Sequence, residues 1–123
     1  MHFVVDGMNV IGTRPDGWWR DRDAAMAKLV DQLERFSAAT GDDVTVVFER
    51  PPNPPLRSSV IEIAHAPKRG ADAADYEILR IVEAHENPSS LHVVTSDNWL
   101  STAARAAGAA VEPSAGFRTR LEG

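Results

Sequence analysis

A three-layer α/β/α sandwich around a central, mostly parallel sheet is the fold class this sequence predicts, and three observations predict it. Two short apolar runs, His2–Asp6 and Leu91–Asp97, are rich in β-branched residues and bounded by turn formers, as buried parallel strands are. Strand-like runs alternate with stretches whose apolar residues recur at helical spacing, which is the pattern of βαβ units. At 123 residues, with 43% apolar and 25% charged side chains, the chain has the size and composition of one globular domain, residues 1–123.

The first strand, 2–6, runs into Asp6-Gly7-Met8-Asn9-Val10-Ile11-Gly12. Asp-Gly is a hairpin signal, but the long helix that follows favours a βα turn in which Gly7 and Gly12 let backbone pass close to a ligand. A loop carrying Trp18-Trp19 leads to a helix over 21–38, with Ala25, Met26, Leu29, Val30, Leu33 and Phe36 at helical spacing. Gly41 suits a left-handed cap. Val44–Glu49 reads as the second strand, and the four prolines of 50–55 then forbid regular structure. Val60–Ala64 alternates enough for a shorter strand near a sheet edge. A helix over 71–85 is ended by Asn87-Pro88-Ser89-Ser90 and precedes the strand 91–97. An alanine-rich helix over 98–107 stops at Gly108, Ala109–Glu112 forms a last short strand, and Pro113–Gly123 has room for a helical turn. This succession gives a parallel sheet with helices on both faces, and the first and fourth strands are expected side by side at its centre, in the order 3-2-1-4-5.

Several function classes drop out. The chain has no cysteine, so disulfides, thiolate zinc sites and thiol catalysis are excluded. No apolar stretch approaches the roughly 20 residues that span a bilayer, and Met1–Asp6 is unlike a secretory signal. A cytoplasmic protein with no membrane partner is expected. The formal charge of −5 argues against coating nucleic acid by charge alone, yet 13 basic residues remain for phosphates. There is no phosphate-cradling Gly-x-x-x-x-Gly-Lys loop, dinucleotide fingerprint or Gly-x-Ser-x-Gly elbow. A haloacid-dehalogenase-like phosphatase would place a second Asp where Met8 stands. His2, His65, His85 and His92 lack metal-ligand spacing and are read as structural.

The acids carry the functional signal. Ligands of open α/β sheets bind beyond the carboxyl ends of the strands, and Asp6 and Asp97 sit at two such ends, flanking the switch-point crevice. Positions 72, 75, 79 and 82 share one helical stripe, and Leu79, Val82 and nearby Ile78 turn it toward the sheet. Asp72 and Asp75 are therefore expected to point inward at the helix start, with Asp72 also the better N-cap. Asp97 or Asn98 can equally cap the helix after them. Asn9 either caps a turn or orients Asp6 or a metal-bound water, and Glu49 is a weaker addition. Gathered carboxylates repel one another unless a cation sits among them, and Mg²⁺ or Mn²⁺ suits an all-oxygen set. Arg50, Arg57, Lys68 and Arg69, in loops near the same edge, are the candidates for phosphate contacts. Trp18-Trp19 beside Arg14, Arg20 and Arg22 can stack unpaired bases, although a loop packing on its own core is the preferred reading.

Together Val4–Gly12, Gly70–Asp75 and Val93–Asp97 resemble the motifs of NYN domains in the PIN-like nuclease superfamily, in particular its YacP-like branch. The resemblance implies a PIN-like sandwich and a metal-dependent ribonuclease. It implies that Asp6 is the first-strand acid with Asn9 its companion, that Asp72 and Asp75 are the middle-helix acids, and that Asp97 is the fourth-strand acid. Asp6, Asp75 and Asp97 are then the expected ligands of Mg²⁺ or Mn²⁺. Many PIN-like enzymes carry a further acid where Asn98-Trp99 stands here, so one firmly held ion is expected rather than two. The leading expectation is an endoribonuclease with an RNA substrate. The alternatives are a catalytically weak RNA-binding adaptor and the toxin of a toxin–antitoxin pair. A homodimer, an antitoxin and a ribosome-associated partner stay open.

Overall fold

Through the centre of a five-stranded, wholly parallel sheet runs β1 (His2–Asp6), in a computed structural model that describes residues 1–70 and 72–123. Around it lie β2 (Asp43–Phe48), β3 (Glu62–His65), β4 (Leu91–Val94) and β5 (Ala110–Glu112), in the order β3-β2-β1-β4-β5 that the sequence predicts. Val4 stands opposite Thr45 and Val93, and Asp6 opposite Val47.

Successive strand side chains point to opposite faces, and this sorts the core into two layers. Phe3, Val5, Val46, Phe48 and Val94 pack with α1 (Gly7–Ile11) and α2 (Arg22–Thr40), and Phe117 of α5 (Ser114–Glu122) joins them. Val4, Val47, Leu91 and Val93 pack on the other face, against α3 (Ala73–Ala84) and α4 (Asn98–Ala106). Asp6 lies two residues beyond Val4, so it emerges on the α3/α4 side at the carboxyl end of the sheet. The parity of one strand thus decides which helices meet the first acid.

The helices follow local chemistry. The Asp21 side chain accepts the Ala24 N–H at 3.0 Å to start α2, and Gly41, at φ 76°, ends it in the left-handed conformation. Ala71, where the sequence starts the middle helix, lies outside the described residues. Among the described residues no helix is long and apolar enough to cross a membrane.

Four boundaries differ from the sequence reading. The Gly-containing turn after β1 is the short helix α1, because Val10 and Ile11 bury themselves completely against the core. The strand ends are shorter, so Glu49 and Thr95–Asp97 sit in the loops beyond β2 and β4. β3 begins at Glu62 instead of Val60. The tail forms nine residues of helix rather than one turn. Phe117 is the reason: it is wholly buried, with ring centroids 5.5 Å from Phe3 and 5.3 Å from Phe36, and the Arg120 guanidinium lies 5.2 Å above its ring.

Gly7 is where α1 can approach β2 closely. A Cβ there would stand 2.6 Å from the Phe48 ring, which is fully buried. Gly7→Ala is therefore expected to destabilise the chain by about 1–3 kcal/mol through overpacking, despite alanine's better helix propensity. Urea denaturation measures this, and Phe48→Leu in the same chain should recover part of the loss. An unchanged midpoint in Gly7→Ala would refute the close approach.

Candidate active site

Asp6 is only 4% exposed. The Thr95 hydroxyl donates to its Oδ2 at 2.9 Å, and the backbone N–H of Asp97 donates to the same hydroxyl oxygen at 3.1 Å. Thr95 therefore ties the end of β1 to the turn that carries Asp97. The Asp97 carboxylate accepts the Leu100 N–H at 2.7 Å, which caps α4 and fixes the acid's direction at the helix start. The capping role and a place in the site are held by one side chain.

Asn9 braces the same corner. Its Oδ1 accepts the Ser96 N–H at 2.9 Å and the Ser114 hydroxyl at 2.5 Å, while the Ser114 N–H donates to the Ser96 hydroxyl oxygen at 2.9 Å. The carboxamide oxygen thus holds the β4–α4 turn and the start of α5, instead of facing Asp6. Neither Thr95 nor Ser114 stands out in the sequence. The only signal was the hydroxyl pair just before Asp97.

Asp75 lies in the first turn of α3 and is buried. Asp72 behaves differently from the expectation. Its backbone sits at φ 63°, its side chain makes no capping bond, and the residue is exposed. The buried stripe of α3 is Ala74, Asp75, Ile78 and Val82, rotated so that Asp72 leaves it. Even so, Asp6, Asp72, Asp75 and Asp97 all line one cavity of about 250 Å³ with Asn9, Glu49, Trp18 and Arg22. Trp18 and Arg22 enter this lining from the loop and start of α2, with the guanidinium 5.2 Å above the indole. Trp18 also packs on the core, as the sequence leads one to expect of this loop, while Trp19 is exposed.

Electrostatics follow from this placement. Burial pushes the Asp6 carboxyl up to about 7, and the carboxylates of Asp75 and Asp97 push the same way, against hydrogen bonds from the Thr95 hydroxyl and the Asn9 backbone N–H. Burial, then Asp97, Asp72 and Glu49, lift Asp75 to about 6. Acids raised this far near neutral pH are the signature of a group awaiting a proton or a cation. Among the described residues no three acidic or histidine side chains gather closely enough to form a ready cage. A Mg²⁺ ion needs none, because one or two carboxylates, waters and a substrate phosphate usually hold it. The all-oxygen donor set fits such an ion.

The expected phosphate contacts divide. Arg50 is engaged, 2.8 Å from Asp23. Arg57, Lys68 and Arg69 are exposed and enter no ion pair among the described residues, and Lys68 and Arg69 line a separate concavity with Tyr76 and Arg80. The histidines stay out of the acid cavity. His2 Nε2 lies 2.9 Å from the Thr45 hydroxyl at the opposite end of β1, and His92 stacks on Phe3 with centroids 5.3 Å apart.

A family model described as a YacP-like NYN domain matches residues 3–123. Two solved structures are similar to the chain, both crystal structures of Rae1 (YacP) from Bacillus subtilis, one of them of a point mutant. The first aligns with a TM-score of 0.80 at 22% identity, and the mutant with 0.79 at 24% identity. Each alignment covers 99% of this chain and 74% of the other. That likeness is one of fold. No curated protein matches.

The raised carboxyls make a stability prediction whose sign is fixed. Folded Asp6 keeps its proton up to about 7, whereas the unfolded chain releases it near 3.8, so the folded state binds more protons across that window. Stability in chelator should therefore fall as pH rises from about 4 to 7. Asp6→Asn removes the charge and keeps the acceptor for Thr95. It is expected to be more stable than the parent at pH 8 by about 2 kcal/mol, or roughly 5 °C in melting temperature, and nearly equal at pH 4. Thermal melts of both proteins across pH measure this. A gap that does not widen with pH would show that Asp6 carries no such strain.

Proposed function

The chain belongs to the YacP-like NYN domain family, a generally nuclease-like group, and from that premise and the acid-lined cavity we propose that it is a metal-dependent endoribonuclease. One observation carries the reading: Asp6, Asp75 and Asp97, from three remote parts of the sequence, line the same cavity at the carboxyl edge of the sheet. Asp6, Asp75 and Asp97 would hold Mg²⁺ or Mn²⁺ directly or through water. Held there, such an ion would supply Lewis acidity for hydrolysis of a phosphodiester.

The chain's own groups do the rest. Thr95 fixes the Asp6 carboxylate, and the α4 cap fixes Asp97. Asn9 acts as a positioning residue, holding the turn between them through Ser96 and Ser114. Arg22, on the cavity lining, is the cation best placed to meet a phosphate entering there. Asp72 adds negative charge at the rim that would draw the ion in.

A second reading, a catalytically weak RNA-binding adaptor, is favoured by Asn98, which stands where many PIN-like enzymes have a further acid. The test is incubation of the purified chain with labelled RNA, with Mn²⁺ and with chelator, beside Asp6→Asn and Asp97→Asn. Asparagine caps helices as well as aspartate does, so Asp97→Asn keeps α4 while removing the charge. Cleavage should need the metal and fall roughly 100-fold or more in each variant. Binding without turnover would support the adaptor, and cleavage that survives both substitutions would point to a contaminant.

A further inference from the structure

Resting on that reading, we infer that Tyr76 and Trp99 form a stacking site for an unpaired nucleobase next to the cleaved phosphate. Both side chains are large, apolar and open to solvent: Tyr76 is 63% exposed and Trp99 47%. Their ring centroids are 5.1 Å apart, with the planes tilted at 59°. Neither packs on either core layer, so neither ring is there to close the interior. The chain has one tyrosine and three tryptophans, and it places the tyrosine and one tryptophan together here.

Their location is what gives the pair a role. Tyr76 follows Asp75 on α3, and Trp99 comes two residues after Asp97 on α4. Tyr76 and Trp99 line one cavity of about 290 Å³ with Asp72, Asp75 and Asp97, and it shares these three acids with the cavity of about 250 Å³ that Asp6 lines. A strand whose phosphate reaches the acids therefore brings a flanking base to the rings. The tilt leaves no slot between two parallel rings. It presents one ring face for stacking, with the other ring against the base edge.

Charge chooses the kind of attraction. The acids repel an anionic backbone at this spot, and the chain as a whole carries −5. Beside the acids, where ion pairing with phosphate is opposed, a further kind of attraction is needed. Stacking on an aromatic face supplies it, tolerates any base, and requires that the base be unpaired. The inference thus specifies the substrate as single-stranded at the nucleotide next to the cut.

The experiment measures binding of a fluorescently labelled ten-nucleotide single-stranded RNA, and of the same strand made abasic at one nucleotide at a time, in Mg²⁺. The full chain is used with Asp6→Asn, which silences cleavage on the reading above. Adding Trp99→Ala or Tyr76→Ala should weaken the intact strand roughly tenfold. The strand abasic at the stacked position should already bind weakly and lose little more. Trp99→Phe should retain most of the affinity, and melting temperatures should stay unchanged because both rings are exposed. Equal losses on the intact strand and on every abasic strand, no loss on any, or no binding of single-stranded RNA would overturn the inference. No loss on any strand would instead leave the rings to a protein partner. Mn²⁺-dependent cleavage by the unmodified chain is scored separately. A chain that stacks bases without cleaving sinks the nuclease reading alone, and one that cleaves without base-dependent binding sinks this inference alone.

Discussion

Burying the Asp6 carboxylate at the end of the central strand sets the terms for the whole site. A carboxylate removed from water is costly unless hydrogen bonds or an opposite charge replace its hydration. Thr95 supplies one donor, but an ionised carboxylate can accept several. The Asn9 backbone N–H supplies a second, while Asp75 and Asp97, which share the cavity, add repulsion. The protein therefore holds Asp6 in a state that a proton or a cation relieves, and the elevation toward 7 expresses that tension.

The fold can sustain this tension because the surroundings are stiff. β1 is hydrogen-bonded on both sides, by β2 and β4, and both faces of the sheet are covered. The corner beyond the strands is braced by side chains rather than by more sheet. Asn9 spans the β4–α4 turn and the start of α5, and Thr95 spans Asp6 and Asp97. Phe117 anchors α5 between Phe3 and Phe36, so even the tail contributes to holding Ser114 in place. Interactions that orient the acids thus reach back into the core on the opposite face of the sheet.

Much of this was legible in the residues, and the limits have physical causes. The βα succession made a parallel sheet legible, and the order β3-β2-β1-β4-β5 matches the expectation that the first and fourth strands meet at its centre. Asp6 and Asp97 were visible because each ends an apolar run. The α3 pair was only half legible. A helical stripe places Asp72 beside Asp75, but Asp72 adopts a left-handed backbone before the helix begins, which swings it outward. The bracing by Thr95, Asn9 and Ser114 leaves no periodic trace, because these bonds join residues 87 to 105 positions apart. The α5 helix was read too short for a related reason. One wholly buried aromatic residue, Phe117, holds it, and one residue makes no pattern.

Where the basic residues stand completes the account. Arg14 is buried and paired with Asp16, and Arg50 is committed to Asp23. Two of the cations nearest the active loops are therefore spent on holding the chain, not on attracting a polyanion. On the proposed nuclease reading, these two residues add little to phosphate binding, whose strength falls steeply with salt. On that proposal the hold on RNA would rest more on a divalent ion that the acids would hold and on the Tyr76 and Trp99 rings beside them. Both would act at one nucleotide rather than along a duplex, because the acids at this single site would hold one ion and a stacking face takes a single base. An acidic chain of this size would then need few cations at the site, Arg22 among them, provided the strand offers one unpaired base at the point of attack.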